Sequence, residues 1–497
     1  FPMNTRPLLA ALFYFAASNA SHGADRAFPT KPNILFVLTD DTGYGDLSAH
    51  GHPLLKTPNL DRLERESVRF QDFHVSPTCA PTRSALLTGR HEFKNGITHT
   101  ILERERLTPQ ATTLAQVLQK AGYSTGIFGK WHLGDEDEYQ PQKRGFDEVF
   151  IHGGGGIGQT YPGSCGDAPG NLYFNPAIRH NGTFEKTEGF CTDIFTTQAM
   201  HWVEGLPKEK PFFCYIPFNA AHEPFSCPES DKAPYEAQAP GKLATYFGMV
   251  ANIDTNIGRL LDWLERTGRA QNTLLIFMND NGCDGTAAKF FNAGMHGAKG
   301  SPWFGGTRAV SLWRWPSALT PHDCTALTAH IDVFPTLASL AGAPINAPLS
   351  EQVEGLSLVP LLQDGAAPWP ERTLATHVGR WPKGADVQQY KFSQASLRSG
   401  PWHLVWDQRK ENPLGADGQL FNLTQDPAEQ QNLAANNPEQ VAQMKSAYEQ
   451  WWNSVVPSMV NETAVGPKIN PFKEAYWRQF GGGPSAEDLK RMSPETK

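Results

Sequence analysis

Four apolar runs constrain this chain more than any other feature. NILFVLT at 33–39, STGIF at 124–128, PFFCYI at 211–216 and TLLIFM at 273–278 each have the length and continuity of a strand buried on both faces. Each run leads to polar residues capable of chemistry: Asp40-Asp41, Lys130-Trp131-His132, His222 and Asp280-Asn281. Helical patterns lie between them. Thr57 and Pro58 occupy the N-cap and N1 positions of one helix. A second spans 113–121, with Leu114, Val117, Leu118 and Ala121 on one face and Gly122 as its stop. A third covers 251–266. This alternation predicts an α/β fold, a large mostly parallel sheet flanked by helices. In open sheets of this kind, ligands bind beyond the carboxyl ends of the strands. Polar turn residues are ordinary at any one strand end. Two acidic pairs at one sheet edge are another matter, because they repel unless a cation lies between them.

The pattern changes after about residue 365. Residues 393–407 read as strand, turn, strand around Ser399-Gly400-Pro401, and 419–423 as a third short strand. A helix follows from Asn437 and Pro438, with Val441, Met444, Tyr448, Trp451 and Val455 on its buried stripe. We therefore expect a catalytic domain over 21–365, and over 366–497 a smaller C-terminal subdomain of antiparallel sheet plus helix, with a tail along the surface. Residues 1–20 read as a secretory signal peptide, preceded by two extra residues before Met3. Arg6 supplies the charge, Leu8–Ala17 a short apolar core, and Ser18 and Ala20 the small residues of a cleavage site. That core is too short to span a bilayer, and no other stretch is a candidate span. The expected location is periplasmic or secreted.

The net charge of −8 argues against nucleic acid as a partner. Thirteen Trp, 12 Tyr and 29 Phe argue against extensive disorder, since such a chain has a core to bury. Seven cysteines include no C-x-x-C pair, which removes the usual zinc and thioredoxin readings. An odd number in an exported protein leaves at least one thiol unpaired or chemically special. Cys165 and Cys191, flanking a Gly-rich loop, are the pair open to a disulfide.

The segment CAPTRSALLTGR at 79–90 carries the most information. It resembles the signature of the formylglycine-dependent sulfatases, arylsulfatase-like members of the alkaline phosphatase superfamily: C-x-P-x-R followed by Thr-Gly. Other blocks agree with that resemblance. They are Asp40-Asp41, the GKWHLG of 129–134, the DNG of 280–282, the KG of 299–300 with the GGTR of 305–308, the DVFPTLASLAG of 332–342, and the LFNLTQDPAEQQNLA of 420–434.

The resemblance implies that a maturation enzyme converts Cys79 to formylglycine, whose hydrated form is the nucleophile toward a sulfate ester and divides hydrolysis into two steps. It implies that Arg83 holds this group and that Lys130 contacts it and the sulfate. His132 is then the base of the second step, and His222 and Lys299 bind sulfate and protonate the leaving oxygen. Asp40, Asp41, Asp280 and Asn281, with the group at Cys79, would hold one divalent ion. The residues themselves agree: all-oxygen ligands suit Ca²⁺, or in second place Mg²⁺, and not a soft metal. A helix beginning near Cys79 also favours an anion at its N-terminus.

One position departs from the pattern. Phe304 stands where the family often has Glu, which puts the placement of Lys299 in question. Arg308 suits either substrate or loop anchoring. The Gly-rich 152–158 segment has no strand and helix around it for a dinucleotide site, and we expect it at the pocket mouth. Sequons at Asn181, Asn422 and Asn461 matter only in a eukaryotic secretory path.

The expected activity is sulfate ester hydrolysis, with a sugar or polysaccharide sulfate as substrate. The alternatives are a phosphonate or phosphate ester hydrolase of the same superfamily, or an inactive protein that binds sulfated glycans. Trp303, Phe304, Trp313, Trp315 and Trp381 are open to two roles, stacking on sugar rings or filling the core.

Overall fold

The structure is a computed structural model that describes residues 28–29, 31–159, 165–239, 241–486 and 489. The expected signal peptide at 1–20 lies outside the described residues. In chain order the strands are β1 (Asn33–Thr39), β2 (Val68–Phe70), β3 (Phe73–His74), β4 (Ser124–Lys130), β5 (Glu148–His152), β6 (Ala177–His180), β7 (Thr183–Lys186) and β8 (Phe212–Pro217). They continue with β9 (Thr273–Asn279), β10 (Ser311–Arg314), β11 (His322–Cys324), β12 (Thr328–Ala329), β13 (Thr373–His377), β14 (Ala395–Ser399), β15 (Trp402–Trp406) and β16 (Gln419–Asn422). Ten of them form one sheet in the order β11-β2-β10-β9-β1-β8-β4-β5-β6-β7. Its centre, β9-β1-β8-β4-β5, is parallel, and antiparallel pairings begin at β10 on one side and β6 on the other. All four apolar runs seen in the sequence lie in that centre. Alternation along β1 divides two cores: Ile34, Phe36 and Leu38 join one face, Leu35 and Val37 the other.

The register of the central strands places the site. Thr39 pairs with Asn279, so Asp40-Asp41 and Asp280-Asn281 leave the sheet side by side. β4 and β8 emerge at the same edge. They approach so closely that a Cβ at Gly129 would lie 2.0 Å from the Pro217 carbonyl oxygen, and Gly129 has φ +144°. Only glycine fits there.

Several details differ from the sequence reading. Thr57 sits at the expected N-cap of the helix Pro58–Arg65, but its hydroxyl makes no cap bond. The orphan amides of Asn59 and Leu60 are taken by the Asp254 carboxylate, 3.0 and 2.7 Å away, from the helix Lys242–Arg266. That helix starts nine residues before the expected 251, its extra turns buried through Leu243, Tyr246 and Phe247. Thr113 does form a capping box with Gln116. In the helix Pro438–Val455, Trp452 and not Trp451 is fully buried with Met444, Tyr448 and Val455. Its expected N-cap, Asn437, makes no cap bond and donates to Leu433 O at 3.0 Å.

The second sheet is antiparallel, ordered β13-β14-β15-β16, and packs on Pro438–Val455. The tail does more than follow the surface. Asn461 donates to the carbonyls of Gly96 and Arg106 at 2.9 and 2.8 Å, and Phe472 in the helix Pro471–Phe480 joins the main core. The Asn461 sequon is therefore buried. The described residues contain no disulfide: Cys165 and Cys191 are not joined. No described helix is long and apolar enough to cross a membrane.

Candidate active site

Cys79 opens the helix Cys79–Thr88, in which every residue is buried. Its thiol therefore sits where the first free N–H groups of a helix point. Burial raises the thiol pKa, but Lys130 and Lys299 outweigh that and bring it below its ordinary value. One turn on, Arg83 is 1% exposed and donates to Asp280 Oδ2 from Nη2 at 2.8 Å and from Nε at 3.2 Å, and to the Lys130 carbonyl at 3.3 Å. This helix thus ties the ends of β4 and β9 together.

Lys130 Nζ lies 2.5 Å from Asp40 Oδ2, and Lys299 Nζ 2.6 Å from Asp41 Oδ2. Asn281 Nδ2 donates to Asp41 Oδ1 at 2.9 Å. Burial would raise Asp40, yet Lys130, His222 and Arg83 hold it below the usual carboxylate range. Asp41 is likewise held down, against its burial, chiefly by Lys299 and His222. Asp41 and His132 both take left-handed backbone conformations, φ +58° and +57°, at the bends where the chain leaves β1 and β4. Such geometry is uncommon outside glycine and persists where the surroundings enforce it.

The donor set fits a hard dication. Oxygens of Asp40, Asp41 and Asp280 lie within 4.8 Å of one another, and all three residues are buried. Asp40 Oδ1 and Asn281 Oδ1 are buried without any hydrogen-bond partner. Buried lone pairs left this way are costly unless something binds them.

The two histidines differ in state. His132 Nε2 donates to Thr100 O at 2.9 Å, which leaves Nδ1 a buried lone pair with no partner. Burial and then Lys130 push its pKa well below the ordinary imidazole value. His222 Nδ1 donates to Glu223 O at 2.6 Å, and its Nε2 lies 3.7 Å from Asp41 Oδ2. Cys79, His132, His222 and Lys299 line one cavity of about 270 Å³. All ten site residues singled out in the sequence are therefore brought into one connected cluster at the carboxyl edge of the sheet.

Phe304 does not displace Lys299. Its ring packs 5.0 Å from both His74 and His403, and the Lys299 loop is held by other means. Gly300 N donates to Pro77 O at 2.8 Å, Gly305 N to His296 O at 2.6 Å, and Asn292 Nδ2 to Gly297 O at 2.8 Å. Arg308 is a loop anchor, donating twice to Gln71 O and lying 4.0 Å over the Tyr44 ring. The five aromatic residues open to sugar stacking are all buried, and none lines the cavity. Gly155, from the Gly-rich segment, does line it. Sequence reasoning missed His99, Thr100 and Arg380, which complete the rim. None lies in a motif or at the end of an apolar strand.

A cavity lined by Lys299, Arg380 and a cysteine at a helix N-terminus, whose Lys299 and His222 reach Asp41 of the carboxylate cluster, suits the cleavage of an oxyanion ester. The sulfatase family model matches residues 32–343. Human N-acetylgalactosamine-6-sulfatase is 30% identical over 86% of this chain and 87% of its own length. Mouse arylsulfatase J is 29% identical over 90% and 80%. The crystal structure of Ps i-CgsB in complex with k-i-k-neocarrahexaose superposes with a TM-score of 0.72 and 26% identity, covering 93% of this chain and all of the other. The chain belongs to the sulfatase family and is a sulfatase.

Proposed function

We propose that this chain is an exported hydrolase of carbohydrate sulfate esters, acting through a formylglycine made from Cys79 by a maturation enzyme. One observation carries the reading: the cysteine of C-A-P-T-R opens a helix at the same cavity as two histidines and a lysine, and that lysine and His222 reach Asp41 of the carboxylate cluster. The carbohydrate part rests on relatives, one named N-acetylgalactosamine-6-sulfatase and one solved in complex with k-i-k-neocarrahexaose. The N-terminal apolar segment supports export, and the separate antiparallel sheet supports a subdomain boundary near 365.

Asp40, Asp41, Asp280 and Asn281 would hold one Ca²⁺, or in second place Mg²⁺; such an ion neutralises a sulfate oxygen and polarises its bond to sulfur. A formylglycine at Cys79 would, once hydrated, supply a hydroxyl nucleophile and a second hydroxyl whose deprotonation re-forms the aldehyde as sulfate leaves. Arg83 fixes Asp280 and the Lys130 carbonyl so that the floor keeps its shape. Lys130 and Lys299 bring positive charge to the sulfate. His222 presents Nε2 to the cavity and can carry a proton to the departing sugar oxygen. His132, with Nε2 tied to Thr100, keeps Nδ1 unprotonated, so that nitrogen is the one open to accept a proton.

The test is turnover of a panel of sulfated sugars, nitrophenyl sulfate, nitrophenyl phosphate and a phenylphosphonate ester by protein co-expressed with a maturation system. Sulfate release from at least one sugar is expected. Turnover confined to phosphate or phosphonate esters would refute the reading.

A further inference from the structure

We infer that Arg380 is a specificity-determining residue that binds a second anionic group, a carboxylate or another sulfate, on the sugar whose sulfate is cleaved. This rests on the carbohydrate sulfate reading above and narrows it. Arg380 follows β13 and so comes from the region of the small sheet, yet it lines the same cavity as Cys79, His132, His222 and Lys299.

Its position is fixed from several directions. Gly379 has φ +69°, and a Cβ there would lie 2.0 Å from Thr98 O, so the chain must turn at that glycine. Arg380 itself has φ +61°, and its N–H donates to Thr98 O at 3.0 Å. Trp381 O accepts from Arg104 Nη1 at 2.7 Å, and the Arg104 guanidinium lies 4.8 Å from the Trp381 ring. At the far end of the side chain, Arg380 Nη2 donates to Thr100 Oγ1 at 3.0 Å. An exposed arginine normally loses rotamer freedom when it binds, and here much of that order exists beforehand.

The neighbouring wall has matching chemistry. His99 Nδ1 accepts from Thr100 N at 2.8 Å and Ile101 N at 3.1 Å, so its Nε2 bears the hydrogen. Burial, with Arg380 and Arg104 close by, keeps that ring neutral, its pKa pushed down to about 2. Arg380 and His99 therefore face the cavity as donors, and a guanidinium fork matches the paired oxygens of a carboxylate or sulfate. No Trp, Tyr or Phe lines the cavity among the described residues.

The experiment uses the matured full chain and three matched sugars. One bears a single sulfate on an otherwise neutral ring, one adds a second sulfate, and one adds a carboxylate. Wild type should prefer one of the doubly charged sugars in kcat/KM, and the preferred one identifies the anion. Arg380→Ala should reduce that preference by roughly 10- to 100-fold, mostly through KM, as expected for a lost hydrogen bond to a charged group. Arg380→Lys should recover part of it. Thr100→Val, which releases the guanidinium from its tether, should give a smaller loss of the same preference. A wild type that treats all three sugars alike would overturn this inference and leave the carbohydrate reading standing, as would an Arg380→Ala loss equal on all three. Cleavage of nitrophenyl sulfate but of no sugar would overturn both.

Discussion

At the floor of the pocket, Lys130 meets Asp40 and Arg83 meets Asp280 with every one of these side chains 1% exposed or less. At the rim, Arg380 is exposed, its N–H donating to Thr98 O and its guanidinium to Thr100 Oγ1. The floor is built from strand ends whose relative positions follow from sheet register, so few arrangements are open to it. The rim is assembled from loops hundreds of residues apart, Thr98–Thr100 and Gly379–Trp381, packed against one another. The proposed chemistry thus lies on strand ends fixed by the sheet, and the selectivity inferred for Arg380 on loops whose sequence can change without disturbing it.

Four further measurements probe this contrast. The largest effect belongs to the floor. Asp280→Ala removes a proposed metal ligand and leaves the buried Arg83 charge without its nearest partner. Turnover should fall about 10³-fold or more, and stability by about 3–5 kcal/mol. Elemental analysis of the same protein should show lost Ca²⁺ or Mg²⁺. Stoichiometric zinc in wild type, with neither of those ions, would contradict the donor-set argument.

Next come the histidines. His222→Ala should slow an alkyl or sugar sulfate by about 10²- to 10⁴-fold and nitrophenyl sulfate much less, because a phenolate leaves without a proton. His132→Ala should slow both and give a burst of nitrophenol before a slow steady state. Equal losses for His222→Ala, or no burst from a severely slowed His132→Ala, would reverse these roles.

A smaller effect should appear behind the rim. Burial pushes the Glu105 carboxyl up to about 8 and that of Asp135 up to about 7. Glu105 accepts from Cys165 N and Asp135 from Gly166 N, each at 2.6 Å. Their folded pKa values lie above the unfolded ones, so the fold holds these protons more tightly. That contribution is complete below about pH 4 and is lost as pH rises through 7 to 8. Denaturant titrations should show stability falling between pH 5 and 9 by a few kcal/mol. Glu105→Gln should flatten the slope, and an unchanged slope would show that Glu105 is already ionised.

The smallest effect on the floor should come from the distant core. Trp452→Ala in the helix Pro438–Val455 should cost about 3–5 kcal/mol of stability. Because it loosens the region that carries Arg380, KM should change more than kcat. The reverse would show that the small sheet supports the floor after all.

Much of this was legible in the sequence because apolar strands of a parallel sheet are continuous and their ends are fixed. NILFVLT and TLLIFM announced both themselves and the acidic pairs that follow them. The strands β6, β7 and β11, at or next to the edges of the large sheet, carry no such signal, being short, partly exposed and without a long apolar run. The cap of Pro58–Arg65 was missed because its acceptor, Asp254, lies almost two hundred residues away in the chain. Trp451 was taken for Trp452 because adjacent aromatics on a helix cannot be ordered by period alone. Arg380 had no signal: its role comes from a glycine turn docked on a distant carbonyl, and such tertiary contacts leave no local pattern.

The central claim is that the sulfatase chemistry of this chain resides in a modified Cys79. Mass spectrometry of the peptide containing residues 79–83, taken from preparations of graded activity, tests it most directly. An aldehyde is expected in place of the thiol, in a fraction that rises in proportion to turnover, with nearly complete loss of turnover in Cys79→Ala. Full activity in protein whose Cys79 is entirely unmodified thiol would contradict it.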